Sequence, residues 1–300
     1  MAMISVLIPV YNYDVTELVK RVHKQLDLCG IAFEIRCLDD ASDFEFQKQK
    51  QIVEALTHTT YTISENNQGR ITTRQKLAES ALYEHLLFLD ADVIPKNDTF
   101  IANYLEFINS KYDAVYGGVA YSSEKPGNDY LLRWTYGKQK EEVAAAKRNE
   151  TPYKSIVSAN FLIEASIFKR LNNKITYSGY GSDNHFSAQL KDESISVLHI
   201  DNYVYHLGIE TSSIYLNKKE AAANALIALY NTQNTANHDN HLLKLFAKLK
   251  RLRLNYVLSW FYQISHNLLK QNLLGPKPSV NYLQLYRISY MCYQDLKKGY

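Results

Sequence analysis

An α/β fold with a mostly parallel sheet is predicted, on three observations. Strand-like and helix-like runs alternate through the first 122 residues, which is the pattern of β-α-β units. LLFL (86–89) reads as a strand buried on both faces. Three of the strand-like runs end in polar or acidic groups, and in open sheets of this kind ligands bind at the carboxyl ends of the strands.

The elements follow in order. ISVLIPV (4–10) is a short apolar run stopped by a turn. Asp14 can cap a helix, with Glu17 as capping-box partner. Leu18, Val22, Leu26 and Cys29 then recur at helical spacing. FEIRCLDD (33–40) is a second strand ending in acids, followed by a helix over 44–56 and a short strand at 61–64. A further helix spans 71–81, before LLFL. Asp98 caps the next, whose apolar face is Phe100, Ile101, Tyr104, Leu105 and Ile108. DAVYGGVAYS (113–122) is one more strand. The pattern then loosens: 123–155 is polar and charged, an expected insertion or mobile loop. IVSANFLI (156–163) and SVLHIDNYVYHLG (196–208) are strand-like, and GYGSDNHF (179–186) is a glycine-rich turn opening a helix. KKEAAANALIALY (218–230) is a helix, and the polar stretch 231–240 separates it from the remainder.

Composition narrows the function. At 300 residues, 46% hydrophobic and 22% charged, the chain has the balance of a globular protein. Its three cysteines, Cys29, Cys37 and Cys292, form no Cys-x-x-Cys pattern. They are read as reduced thiols, with neither a disulfide framework nor a zinc cluster. The start, MAMISVLIPVYN, has no basic segment before its apolar run, so a secretory signal is not expected and a cytoplasmic location is. Net charge is +3, yet residues 241–300 hold ten Lys or Arg against the single acid Asp295, giving +9 and leaving −6 for residues 1–240.

The chemistry concentrates in HLLFLDADVIP (85–95), where an apolar strand meets Asp90 and Asp92. Such a pair either caps a turn or clamps a metal for a phosphorylated ligand. The strand ends Pro9-Val10-Tyr11-Asn12, Asp39-Asp40 and Asp90-Ala91-Asp92 would share one sheet edge.

Five ordered segments, SVLIPVYN, LDDAS, NQGRITTRQ, LDADVIP and GYGSDNHF, span roughly residues 4–210. In this order the chain resembles the family 2 glycosyltransferases, inverting enzymes of the GT-A fold. The resemblance implies a Rossmann-like α/β/α sandwich with a mostly parallel central sheet. It also implies transfer of a sugar from a nucleotide diphosphate donor, expected to be a UDP-sugar, to a hydroxyl of a glycan or lipid-linked glycan. Mn²⁺ or Mg²⁺ is implied as cofactor, because oxygen ligands suit these ions and a Lewis acid offsets charge on the leaving diphosphate. Asp92 is then the direct metal ligand, and Asp90 binds metal or the donor ribose. Asp40 matches the position that accepts a hydrogen bond from the base, and Pro9, Val10 and Tyr11 would pack on the nucleoside. NQGRITTRQ matches the family pattern at Asn67, Gly69 and Arg74, while Thr73 and Gln75 depart from it. Arg74 would face the diphosphate or donor sugar, with Arg70 a second candidate. In GYGSDNHF, Asp183 matches the general base; Ser182 stands where Glu is usual. His206, in YVYHLG, resembles a late metal-completing histidine; the alternative is a structural strand histidine, as is expected of His199.

Domain boundaries are expected at 1–230 for the catalytic domain and 241–300 for a basic, aromatic helical extension. The extension mixes cations with Leu, Phe, Trp and Tyr, and its longest uncharged stretch, 254–269, is shorter than a membrane span. That leaves open an anionic membrane surface at the inner face of the cytoplasmic membrane, or packing on the domain or on a second copy. No nucleic-acid motif accompanies the charge. Synthesis of a surface polysaccharide is the leading expectation. Loading of a polyprenyl phosphate and nucleotide-sugar binding without turnover are the alternatives.

Overall fold

A computed structural model describes residues 3–175, 182–232 and 240–297. It divides into two units, residues 1–121 with 141–208, and residues 122–140 with 209–300.

The ten strands among the described residues all lie in the first unit. They are β1 (Met3–Val10), β2 (Ala32–Asp39), β3 (Thr59–Ile63), β4 (His85–Leu89), β5 (Val93–Pro95), β6 (Ala114–Tyr116), β7 (Val119–Ala120), β8 (Asn160–Glu164), β9 (Val197–His199) and β10 (Val204–His206). Seven form one sheet in the order β3-β2-β1-β4-β8-β6-β9. The β3-β2-β1-β4 half is parallel throughout, and β8 is antiparallel to both β4 and β6. Ile4, Val6, Leu7 and Ile8 of β1 and Leu86, Leu87, Phe88 and Leu89 of β4 are fully buried, because covered parallel strands bury both faces. Phe88, Phe161 and Tyr116 stack across three neighbouring strands, with ring centroids 5.0 and 5.1 Å apart. Each such side chain contributes about 1.5–3 kcal/mol through burial.

The long predicted strand 113–122 is in fact two. Gly117 and Gly118 turn the chain out of the main sheet, so β7 pairs with β10 in a second sheet of order β5-β10-β7. A Cβ on Gly117 would run into Asn160 Nδ2, the Asn202 carbonyl and the Tyr104 hydroxyl. Gly118 has φ +83°, which favours glycine.

Local corrections have local causes. The helix predicted over 44–56 is broken at Lys48 into Phe44–Gln47 and Gln49–Glu54. Asp14 accepts from the Thr16 amide at 2.9 Å, but the helix Thr16–Cys29 is capped at Val15 and Glu17 pairs instead with Arg21 at 2.7 Å. There is no capping box. Asp98 is likewise not the cap of Phe100–Leu105; Thr99 holds that position. Much of the polar stretch 123–155 is helical, including Leu131–Tyr136 and Ala145–Asn149. The latter is fastened by Arg148, whose guanidinium donates to the carbonyls of Val143 (2.9 Å), Tyr116 (3.1 Å) and Ile200 (2.7 Å) and to His199 Nδ1 (2.8 Å).

The second unit is helical. Ser212–Thr232, His241–Arg251, Asn255–Leu273 and Val280–Lys297 pack with Leu132 around a core that includes Tyr215, Phe246, Tyr262, Tyr286 and Met291. The only acid of the last sixty residues, Asp295, is buried against Lys250 at 2.8 Å. Among the described residues, no helix is long and apolar enough to cross a membrane.

Candidate active site

The parallel order β2-β1-β4 places the ends of these strands side by side, as the sequence order implies. The first two ends are knotted together. Asn12 has φ +47° and Ala41 φ +61°. Asn12 N donates to Ser42 Oγ at 2.8 Å, Asn12 Nδ2 to Asp43 Oδ2 at 3.0 Å, and the Asp43 amide to Asn12 Oδ1 at 2.8 Å. Asp39, fully buried, accepts from the Ser42 amide and the Tyr61 hydroxyl, both at 2.7 Å. It is a structural acid. Of the three residues expected around a nucleoside, Val10 is buried in the sheet, Pro9 is half-buried, and Tyr11 is 54% exposed and open for stacking.

Asp40 has a task the sequence did not reveal. Its two carboxylate oxygens accept from the amides of Gln68 (2.9 Å) and Gly69 (2.8 Å). The carboxylate therefore straps the loop before the helix Arg70–Ser80 to the end of β2. Each oxygen keeps a further lone pair for one N–H of a ligand. Gly69, at φ +81°, supplies the cap position of that helix, and Asn67 and Arg70 are exposed beside it.

Arg74 lies one turn into the same helix and is 6% exposed. Its Nη2 donates to Asp90 Oδ1 and, at 3.2 Å, to the Ser158 carbonyl. The Asp90 amide donates to the neighbouring Ala159 carbonyl at 3.1 Å. Arg74 therefore orients the first aspartate of the pair rather than standing alone towards a ligand.

Asp92 faces the other way, towards β10. Its Oδ2 is 3.5 Å from His206 Nε2, longer than a good N–H···O bond. The Leu207 amide donates to the Asp92 carbonyl at 2.8 Å. His206 is stacked on Tyr121, with ring centroids 5.8 Å apart, and the Tyr121 hydroxyl donates to Glu141. His206 Nδ1 is buried with no hydrogen-bond partner among the described residues. Burial, then the Asp92 charge, raises the pKa of the Tyr13 phenol. A Cβ on Gly208 would collide with the Asp92 carboxylate, so glycine there leaves Asp92 its position.

The oxygen and imidazole donors of Asp92 and His206 fit a divalent cation that takes its remaining ligands from a diphosphate or water. No cluster of three or more such protein ligands occurs among the described residues. Asp183 lies in the first turn of Ser182–Asp192; its side chain and the preceding Gly-Tyr-Gly fall outside the described residues. His199 is a core histidine, 2% exposed, held between Arg148 and the Pro152 carbonyl (2.7 Å). Burial, reinforced by the Arg148 charge, lowers its pKa to about 4.

Sequence reasoning did not single out Tyr13, Tyr121, Ser158 or Gly208. The Gly-Gly at 117–118 was the available signal for Tyr121, since it marks where the strand leaves the main sheet.

Comparison with curated proteins finds no match. Solved structures share the fold. They include S. aureus TarS 1-349 in complex with UDP-GlcNAc, 15% identical, covering 99% of this chain and 92% of that one, with a TM-score of 0.52. The mannosyltransferase PcManGT from Pyrobaculum calidifontis, in complex with GDP-Man and Mn²⁺, is 12% identical over 99% and 88%, TM-score 0.54. Glucosyl-3-phosphoglycerate synthase from Mycobacterium tuberculosis, in complex with Mg²⁺ and UDP, is 13% identical over 75% and 78%, TM-score 0.51. Against the longer TarS structure, this chain spans 41% of the other's length. The sheet order and these likenesses make the fold GT-A. The family model described as glycosyl transferase family 2 matches residues 5–171, more than half of the chain, and the protein belongs to that family of glycosyltransferase enzymes.

Proposed function

We propose that the protein transfers a sugar, with inversion, from a UDP-sugar to a hydroxyl of a glycan or lipid-linked glycan acceptor during surface polysaccharide synthesis. The observation that carries this reading is the division of labour between the two aspartates. Asp90 is fixed by Arg74, whereas Asp92 is turned towards His206. Asp92 and His206 would hold Mn²⁺ or Mg²⁺. The bound ion would supply Lewis-acid stabilisation of the charge on the departing diphosphate. Asp90, oriented from behind, presents its remaining oxygen to the donor ribose. Tyr11 offers a ring to the base, and the strapped carboxylate of Asp40 offers an acceptor to a base N–H. Asp183 would remove the acceptor proton across the sugar from Asp92, as an inverting displacement requires. A lipid-linked acceptor would bring the enzyme to the inner face of the cytoplasmic membrane, with residues 1–230 as catalytic domain and 241–300 as its localising extension.

The test is a transfer assay with a panel of nucleotide sugars and acceptors, run in chelator and again after adding Mn²⁺. Metal-restored product formation with a UDP-sugar supports the reading. Turnover that is indifferent to chelation would remove the metal from it.

A further inference from the structure

We infer that one face of the helix Asn255–Leu273, with the turn before it, is a docking surface for an anionic lipid bilayer. This deepens the membrane part of the reading above. Tyr256 (61% exposed), Val257, Trp260 (62%), Ile264 and Leu268 (70%) stand open to solvent. At 100° per residue they share one side of the helix. The opposite side, through Asn255, Ser259, Tyr262, Leu269 and Leu273, is buried in the unit's own core. The apolar face is therefore in addition to what the fold needs. Exposed Gln263 and Asn267 lie among these residues, and no charged residue occurs from Leu254 to Leu269.

The occupant follows from the charge around the stripe. Arg251, Leu252, Arg253 and Leu254 are all exposed just before it, with Arg253 in the left-handed region at φ +59°. Lys277 follows it, as does Lys270, which is paired with Glu220 at 3.1 Å. The only acid in residues 241–300, Asp295, is 1% exposed and paired with Lys250. A second copy would bring one cation-flanked stripe against another, whereas an anionic headgroup layer complements the exposed Arg251, Arg253 and Lys277. Trp and Tyr flanked by Arg, on a helix too polar to span, match a helix that lies in the interface plane.

The experiment is flotation of the full chain with vesicles of phosphatidylcholine alone or mixed with phosphatidylglycerol, at low and high salt. The full chain should float with the mixed vesicles, fail to float with phosphatidylcholine alone, and be released by salt. Each of Arg251→Gln and Arg253→Gln should weaken binding about five-fold. Trp260→Ser with Ile264→Ser should abolish it while leaving the melting temperature unchanged. The chain has two tryptophans, Trp134 and Trp260. The emission shift on vesicle addition should therefore vanish in Trp260→Phe and persist in Trp134→Phe. Absence of flotation at low salt overturns the inference, as does flotation unaffected by these substitutions. A dimer that dissociates on Trp260→Asp would assign the face to a second copy instead. Donor hydrolysis without vesicles should survive every variant. Its absence in the wild type would count against the transferase reading and not against the docking face.

Discussion

Arg74 Nη2 donates to Asp90 Oδ1, joining the first turns of the helix Arg70–Ser80 to the end of β4 across sixteen residues of sequence. The guanidinium is buried and its second acceptor is the Ser158 carbonyl at 3.2 Å. The arginine of NQGRITTRQ and the first aspartate of LDADVIP, two separate motifs in the sequence, are one ion pair in the fold.

Removing Arg74 should therefore act on stability and donor binding together. Arg74→Ala leaves Asp90 without its partner and is expected to cost about 1–3 kcal/mol, less than for a wholly buried pair because Asp90 is partly exposed. Combining it with Asp90→Asn should recover part of that stability and none of the UDP affinity. Urea unfolding and calorimetric titration with UDP measure the two effects. Additive losses in the double mutant would show that the pair is not coupled.

On the other arm, Asp92→Asn should weaken UDP binding to the level seen in chelator, with little change in melting temperature. Gly208→Ala should imitate it, because the added methyl displaces the Asp92 carboxylate. A Gly208→Ala protein with wild-type, metal-dependent UDP affinity would contradict this geometry.

Asp183→Asn should leave UDP affinity and melting temperature near normal and lower turnover about 10²–10⁴-fold, the usual range for loss of a general base. Turnover close to wild type with a good acceptor would exclude Asp183 from the mechanism. A large fall in melting temperature would make it a structural residue.

His199 makes stability depend on pH. Burial and the Arg148 charge lower its pKa to about 4 from an ordinary 6.5. Between these values the unfolded chain binds a proton that the native chain refuses, so stability falls as pH drops below about 6.5 and the loss is complete near 4. Gln at this position can still accept from Arg148 and donate to the Pro152 carbonyl. Denaturation midpoints at about pH 7 and pH 5 should therefore differ less in His199→Gln than in the wild type. Equal differences would assign the pH dependence to other groups.

Much of the catalytic fold was legible because it is written locally. Apolar runs at strand length, separated by helical periodicity, point to β1 to β4 and to a mostly parallel sheet, while the strand order and register come from the structure. The three polar strand ends do lie side by side, on the neighbouring strands β2, β1 and β4. The pattern failed where one strand divides between two sheets, at Gly117 and Gly118. A run of strand-forming residues does not say which partner each half takes.

Sequence alone determined the fold class, the family motifs and the residue types at the site, since each depends on spacing within a few dozen residues. Tertiary structure alone decided what those residues do to one another. It sent Arg74 to Asp90, both oxygens of Asp40 to backbone amides, and Asp92 towards His206, more than a hundred residues away. A carboxylate in a sequence is an acceptor without an assigned donor. Only closure of the chain, which brings distant amides, guanidinium and imidazole to these carboxylates, determines which donor each receives.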